Sequence, residues 1–229
     1  MAKVTVVAAY NNQVEMTRDF LDTMQKHAPL LWNVHMILVN GGGPENIEHP
    51  FVDQRIDLET NEGFCKVLNA GLRAVPTDTD YVFFVGNDSF PVDDEWLPNL
   101  VKLQKHTEAW MVCPANDNPG MEAYKHLYKI HSSAAGLPVP YWEVDFFPSI
   151  AWLMPYDKFL QVGLLDERYI RTGMYADDDY CRRIKELGGK IVVSKHILLK
   201  HLLSAEGKAL GTQSEDMRIN YRLFKEKWK

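Results

Sequence analysis

The chain has 229 residues, enough for one α/β domain that buries roughly 70–75% of the surface its unfolded form exposes, with no need of a disulfide or structural metal. Hydrophobic residues make up 46% and charged residues 24%, the globular average, which excludes disordered, collagen-like and coiled-coil chains. Lys+Arg number 25 against 31 Asp+Glu, a net charge of −6, and without a basic cluster duplex nucleic acid is not an expected partner.

Val4 to Ala9 is a continuous apolar, largely β-branched run suited to a strand buried on both faces. Asn12 and Glu15 then form a candidate capping pair for a helix carrying Phe20, Leu21, Met24 and Ala28 before Pro29. Val34 to Val39 predicts a second buried strand, ending in the turn or open loop Asn40-Gly41-Gly42-Gly43-Pro44. Phe64 to Val75 reads as a helix. Tyr81 to Val85 reads as a strand running into Gly86-Asn87-Asp88-Ser89. Asp93-Asp94-Glu95 opens a helix with Trp96, Leu97, Leu100, Val101 and Leu103 on one face, and Trp110 to Cys113 is strand material. This half is a βαβ array.

From Ala115 to Pro148 the pattern gives way to Pro, Gly, Asn and aromatic residues, among them Pro119, Gly120, Pro138, Pro140, Tyr141, Trp142 and Phe147, and a long irregular stretch of this kind is usually functional. Ile150 to Met154 then reads as a strand, followed by a short helix after Pro155 and a helix over Asp177 to Leu187 closed by Gly188-Gly189. Ile191 to Val193 and Ile197 to Leu199 are two short strand candidates. A final amphipathic helix carrying Met217, Tyr221, Phe224 and Trp228 is expected to pack back on the domain. The 3 cysteines, Cys65, Cys113 and Cys181, lack metal-ligand spacing and suit a reducing cytosol, with Cys65 and Cys181 inert at helix-core positions. Val4 to Tyr10 is short for the apolar region of a signal peptide, and no run approaches the roughly 20 apolar residues of a membrane-spanning helix, so a cytoplasmic protein is expected.

Three polar clusters could carry chemistry. Asp88 follows a buried strand at the sheet edge where α/β proteins bind ligands; it suits a turn, or Mg²⁺ or Mn²⁺ held against a nucleotide diphosphate. Asp177-Asp178-Asp179 open a helix, where the macrodipole favours acids, although three adjacent acids also hint at proton abstraction or substrate binding. Arg183 lies four residues beyond Asp179 and can pair with it structurally. His201 sits between apolar runs, either as a core or edge residue or, with a carboxylate, as a ligand for a first-row metal. His126 and His131 show no ligand spacing and read as surface or acceptor-loop residues.

In their order along the chain these segments resemble glycosyltransferase family 2, the inverting enzymes of GT-A fold. The resemblance runs through Val4 to Asn11, through Asn61-Glu62-Gly63-Phe64 with Asn69-Ala70-Gly71, and through Phe83 to Pro91 in place of the DxD strand. It continues in Gly163 to Tyr169, in Ala176-Asp177-Asp178-Asp179 with Arg183, in His201, and in the closing Phe224 to Trp228. It implies an α/β GT-A fold: a single Rossmann-like domain over residues 1–229, with a central mostly parallel sheet flanked by helices. Residues 1–114 would form the nucleotide-binding half and 115–229 the acceptor-binding and catalytic half.

The chain departs from the family pattern at Asn40, where an Asp usually reads the base, at Gly86, the first Asp of DxD, and at Ala176, where a Glu is usual. The Gln-x-x-Arg-Trp signature of polymerising members is absent, which points to single-sugar transfer. The resemblance therefore implies a metal-assisted inverting transferase of hexosyl type, moving one sugar from a nucleotide-diphosphate donor to a saccharide or other acceptor hydroxyl. Asp177 is the expected general base, and Asp88 and His201 the expected ligands of Mn²⁺ or Mg²⁺. Tyr10, Asn40, Asn69 and Asn87 would bind the nucleotide, Trp152 and Asp179 the acceptor, with residues 116–152 shaping that site and Gly207 and Gly211 flanking a flap. The competing expectation is a non-catalytic nucleotide-sugar binding domain. A nucleotidyl enzyme would instead need a Gly-rich basic phosphate loop after the first strand, where this chain has Tyr10-Asn11-Asn12.

Overall fold

The computed structural model describes residues 2–28, 33–116, 132–133, 140–202 and 213–229. Gly207, Gly211, His126, His131 and most of the 116–152 stretch thus lie outside the described residues. Strand β1 (Lys3–Tyr10) pairs in parallel with β2 (Asn33–Asn40) in a register that sets Tyr10 beside Asn40. Helix α1 (Val14–Lys26) buries Phe20, Leu21 and Met24 as its spacing predicts. Its expected capping pair does not form: Gln13 occupies the cap, and its carbonyl accepts from the Thr17 backbone N–H at 2.9 Å and the Thr17 hydroxyl at 2.6 Å.

Strand β3 (Gln54–Asp57) extends the parallel ladder on β2 and has too polar a composition to show in the sequence. Helix α2 (Phe64–Arg73) crosses this layer with Gly71 against it; a Cβ there would come within 2.5 Å of Val7 Cγ1. Strand β4 (Tyr81–Val85) pairs in parallel with β1, and the three-residue β5 (Ser89–Pro91) follows. Helix α3 (Trp96–Thr107) starts after the acidic triplet, because Asp93 forms a turn by accepting the Glu95 N–H at 2.9 Å.

The second half departs further from expectation. After β6 (Met111–Asn116) and β7 (Ser132–Ser133) comes β8 (Tyr141–Val144), inside the stretch read as irregular. Strand β9 (Ala151–Pro155) runs antiparallel to β4, helices α4 (Tyr156–Val162) and α5 (Ala176–Glu186) follow, and α6 (Gln213–Lys227) closes the chain. The two short strands expected near residue 195 are one, β10 (Ile191–His201), with a register shift between Val193 and Leu198. The Ser194 hydroxyl spans that irregularity by accepting from His196 N–H at 3.1 Å and Ile197 N–H at 2.9 Å.

The sheet order is β3-β2-β1-β4-β9-β6-β10-β8-β7, with β5 on β10. The parallel character expected of the sheet holds for β3-β2-β1-β4 and for β6 with β10, while β8 and β9 insert antiparallel. Among the described residues no helix is long and apolar enough to cross a membrane.

Helix α6 packs back as expected, with Phe224 against the core and 5.8 Å from the Tyr175 ring and Trp228 donating to Asp179 at 2.9 Å, but only part of the expected stripe takes part. Met217 and Tyr221 are exposed, whereas Asp216 and Asn220 are fully buried. The Asn220 amide accepts the Ile170 N–H at 3.0 Å and donates to its carbonyl at 3.2 Å, so hydrogen bonding rather than the apolar stripe docks this end of the helix.

Candidate active site

The carboxyl ends of β1, β2 and β4 lie side by side, and a cavity of about 850 Å³ opens over them. One wall is Tyr10, Asn11 and Gly41; the floor is Val85 to Asp88; the far wall is Pro148 to Ile150 with Ile170 to Thr172.

Asp88 and His201 meet in this cavity although 113 positions separate them in sequence. The antiparallel register of β5 on β10 sets Ser89 opposite His201, and Leu202 N–H donates to the Asp88 carbonyl at 2.9 Å. His201 Nε2 then lies 3.1 Å from Asp88 Oδ2, with both side chains mostly shielded. Gly86 makes room for this pair: a Cβ at that position would fall 2.7 Å from Asp88 Oδ1. A carboxylate oxygen beside an imidazole nitrogen fits Mn²⁺, which accepts both donor types and is commonly completed by substrate phosphates. Among the described residues no group of three His, Cys, Asp or Glu side chains is placed to hold a metal; Asp88 and His201 are a pair that could contribute to one.

Asp177 is not among the residues that line the cavity, but it bonds one of them. Its Oδ2 accepts the backbone N–H of Ser149, a cavity residue, at 3.4 Å, and its Oδ1 accepts the Asp178 N–H at 3.1 Å. Burial pushes the Asp177 carboxyl above the usual carboxylate range, and these backbone donors partly offset it. Asp178 is raised by burial and by the neighbouring Asp177 charge. A carboxyl held in this way is a better proton acceptor near neutral pH than an ordinary aspartate.

Tyr10 and Asn87 also line the cavity, with their polar atoms engaged in its frame. The Tyr10 hydroxyl donates to the Glu45 carbonyl at 3.0 Å and accepts from Ile47 N–H at 3.1 Å. The Asn87 amide donates to Thr17 Oγ1 at 2.9 Å.

Four expected contact residues lie elsewhere. Asn40 does not line the cavity; its amide closes the following loop, accepting from Gly43 N–H at 2.8 Å and donating to Asn46 Oδ1 at 3.0 Å. Asn69 is fully buried as a strut between α2 and Leu165, accepting its N–H at 3.0 Å and donating to its carbonyl at 2.9 Å. Trp152 is core: it stacks on Tyr180 at 5.2 Å, and its indole donates to the Pro148 carbonyl at 2.9 Å. Asp179 is fully buried against Arg183 Nε at 3.0 Å, Lys227 Nζ at 2.7 Å and Trp228 Nε1 at 2.9 Å, leaving no face for an acceptor. The cysteines are buried, and burial raises the Cys65 thiol to about 12, so it stays protonated.

The cavity residues that the sequence did not single out include Met16, Gly41, Ile170, Arg171, Thr172 and Met174. Gly41 was legible only as part of a turn, and the 170–174 loop has no periodicity or motif to mark it.

The fold and this site define a GT-A architecture. The family model described as glycosyl transferase family 2 matches residues 5–164, and the chain belongs to that family. No curated protein matches the sequence. Among solved structures, the chain is similar to the mannosyltransferase PcManGT from Pyrobaculum calidifontis, in complex with GDP-Man and Mn²⁺, at 14% identity and a TM-score of 0.67, covering 89% of this chain and 58% of that one. It is similar to GalNAc-T7 with UDP, GalNAc and Mn²⁺ at 11% identity and a TM-score of 0.67, covering 88% of this chain and 44% of that one. The chain thus spans about half the length of these two structures.

Proposed function

We propose that the protein transfers one sugar from a nucleoside diphosphate donor to an acceptor hydroxyl with inversion, using Asp177 as the general base. The observation that supports this reading is that Asp88 and His201 pair in the cavity, while Asp177, outside its lining, bonds the backbone of Ser149 within it. Family membership supports glycosyl transfer, and the two similar solved structures, whose complexes hold GDP-Man or UDP with Mn²⁺, support a nucleotide-linked donor and a divalent cation.

In this mechanism Ala9 to Asn11 and Gly41 take the nucleoside end of the donor, on the half of the chain before residue 115, and the later half takes the acceptor. Asp88 and His201 would hold a divalent cation, which when bound neutralises charge on the departing diphosphate. Asp177, its carboxyl raised by burial, accepts the acceptor hydroxyl proton as that oxygen attacks the anomeric carbon; the bond to the diphosphate breaks on the opposite face, giving inversion. The Ser149 and Asp178 N–H groups fix the carboxylate in position.

Asp177→Asn keeps the shape and removes the base. It is expected to lower transfer about 10²–10⁴-fold with donor binding unchanged. Near wild-type transfer by that variant refutes the assignment. Slow donor hydrolysis by the wild type separates an enzyme from a binding domain, which releases no sugar.

A further inference from the structure

Ile170, Arg171 and Thr172 form part of the cavity wall and lie beyond the segment 5–164 that the family model matches. Among the described residues lining the cavity, Arg171 is the one Arg or Lys; the carboxylates there are Glu62 and Asp88. Its backbone adopts φ 47°, in the left-handed region that a non-glycine residue keeps only when its surroundings enforce it.

The enforcement is visible. The Arg171 carbonyl accepts the Phe64 N–H at 2.7 Å, Asn220 grips Ile170 on both sides of its peptide unit, and Gly63 is bare where a Cβ would lie 2.8 Å from the Arg171 nitrogen. From α6 the buried Asp216 accepts Arg171 Nη1 at 3.1 Å and the Thr172 hydroxyl at 3.4 Å, while the Arg171 side chain stays 55% exposed. Asp216, with Glu215 Oε2 at 3.9 Å from the same Nη1, fixes one edge of the guanidinium of a half-exposed residue that lines the cavity. A counter-ion for Asp216 alone would not require a strained backbone in the wall of a ligand cavity.

We propose that Arg171, aimed by Asp216, is the anion-recognising residue of this cavity and donates to a phosphate oxygen of the donor diphosphate. The inference rests on the nucleoside-diphosphate reading above. A guanidinium fork matches a phosphate edge, and it offsets the repulsion that Glu62 and Asp88 exert on an incoming diphosphate.

Calorimetric titration with UDP, GDP, uridine and guanosine in Mn²⁺ buffer tests this on the wild type, Arg171→Gln and Arg171→Lys. Arg171→Gln is expected to weaken whichever diphosphate the wild type binds by about 10–100-fold, with nucleoside affinity unchanged. Arg171→Lys, which keeps the charge without the fork, is expected to lose less. Equal diphosphate affinity in wild type and Arg171→Gln overturns the inference and leaves Arg171 as a partner for Asp216. An equal loss for nucleoside and diphosphate overturns it as well, because that marks a general disturbance of the cavity. Wild-type protein that binds neither diphosphate overturns the nucleotide-donor reading itself, so the two failures are distinct.

Discussion

Replacing Asp179 with Ala separates a structural role from an acceptor-binding one. The carboxylate is fully buried and receives three donors, from Arg183 at 3.0 Å, Lys227 at 2.7 Å and Trp228 at 2.9 Å. Truncating one partner of a buried ion pair strands the other charges, at a cost of about 3–5 kcal/mol. The cost is concentrated because the same site ties the end of α6 to α5: Lys227 also reaches Asp166 at 2.8 Å, and Arg183 donates to the Val162 carbonyl at 2.8 Å. In a chain of 229 residues, each kcal/mol moves the melting point by about 2–4 °C, so Asp179→Ala should melt about 6–20 °C below the wild type. Thermal unfolding followed by circular dichroism measures this. Lys227→Met, alone and combined with Asp179→Ala, should show a coupling of about 0.5–3 kcal/mol, because both substitutions remove one shared interaction. A single variant melting within about 2 °C of the wild type while the acceptor KM rises would refute this account and return Asp179 to the acceptor site.

The Asp177–Asp178 pair should give transfer an acid limb. Burial, then the Asp177 charge, raises Asp178 to about 7, and Asp177 is raised too, so the rate should fall as pH drops and protons return to the pair. Asp178→Asn removes the group that burial and the Asp177 charge raise to about 7, so the part of the limb near pH 7 should be lost from a pH–rate profile; an unchanged profile refutes the coupling. For stability the sign is reversed: a raised carboxyl contributes most below its unfolded value near 4 and loses that contribution as pH rises through about 7, which pH-dependent urea unfolding would show. Gly86→Ala puts a Cβ 2.7 Å from Asp88 Oδ1, which should displace that carboxylate and weaken Mn²⁺-dependent thermal stabilisation about tenfold in apparent affinity; an unchanged response refutes the Asp88–His201 metal assignment. Asn69→Ala leaves the Leu165 N–H and carbonyl unpaired, so it should cost about 1–3 kcal/mol in denaturant unfolding with diphosphate affinity unchanged.

Much of the first half was legible because its signals are local. The apolar runs around β1, β2 and β4 can bury only as central strands, and the apolar spacing of α1, α2 and α3 points one face of each at the sheet. Strand β3 was not legible, because a half-exposed edge strand needs no apolar run. Nor was β8, whose Tyr141 and Trp142 also suit an irregular aromatic segment. The β10 register shift broke one strand's pattern into two apparent ones.

The sequence by itself determined the residue types at the site: an acid after β4, acids opening α5 and a late imidazole, with enough ordered motifs around them to indicate the family. Only the tertiary structure decided which polar groups face the cavity. Asn40, Asn69 and Asp179 are the same kinds of residue as Asn87 and Asp88, which line the cavity, yet they are held away from it by the Gly43 loop, by Leu165, and by Arg183 with Lys227. Arg171 reaches the cavity wall because Asn220 and Asp216, more than 40 positions later in the chain, fix its loop. A buried polar atom must find a partner, and whether that partner is a ligand or another part of the protein depends on contacts between residues distant in sequence, which local pattern does not encode.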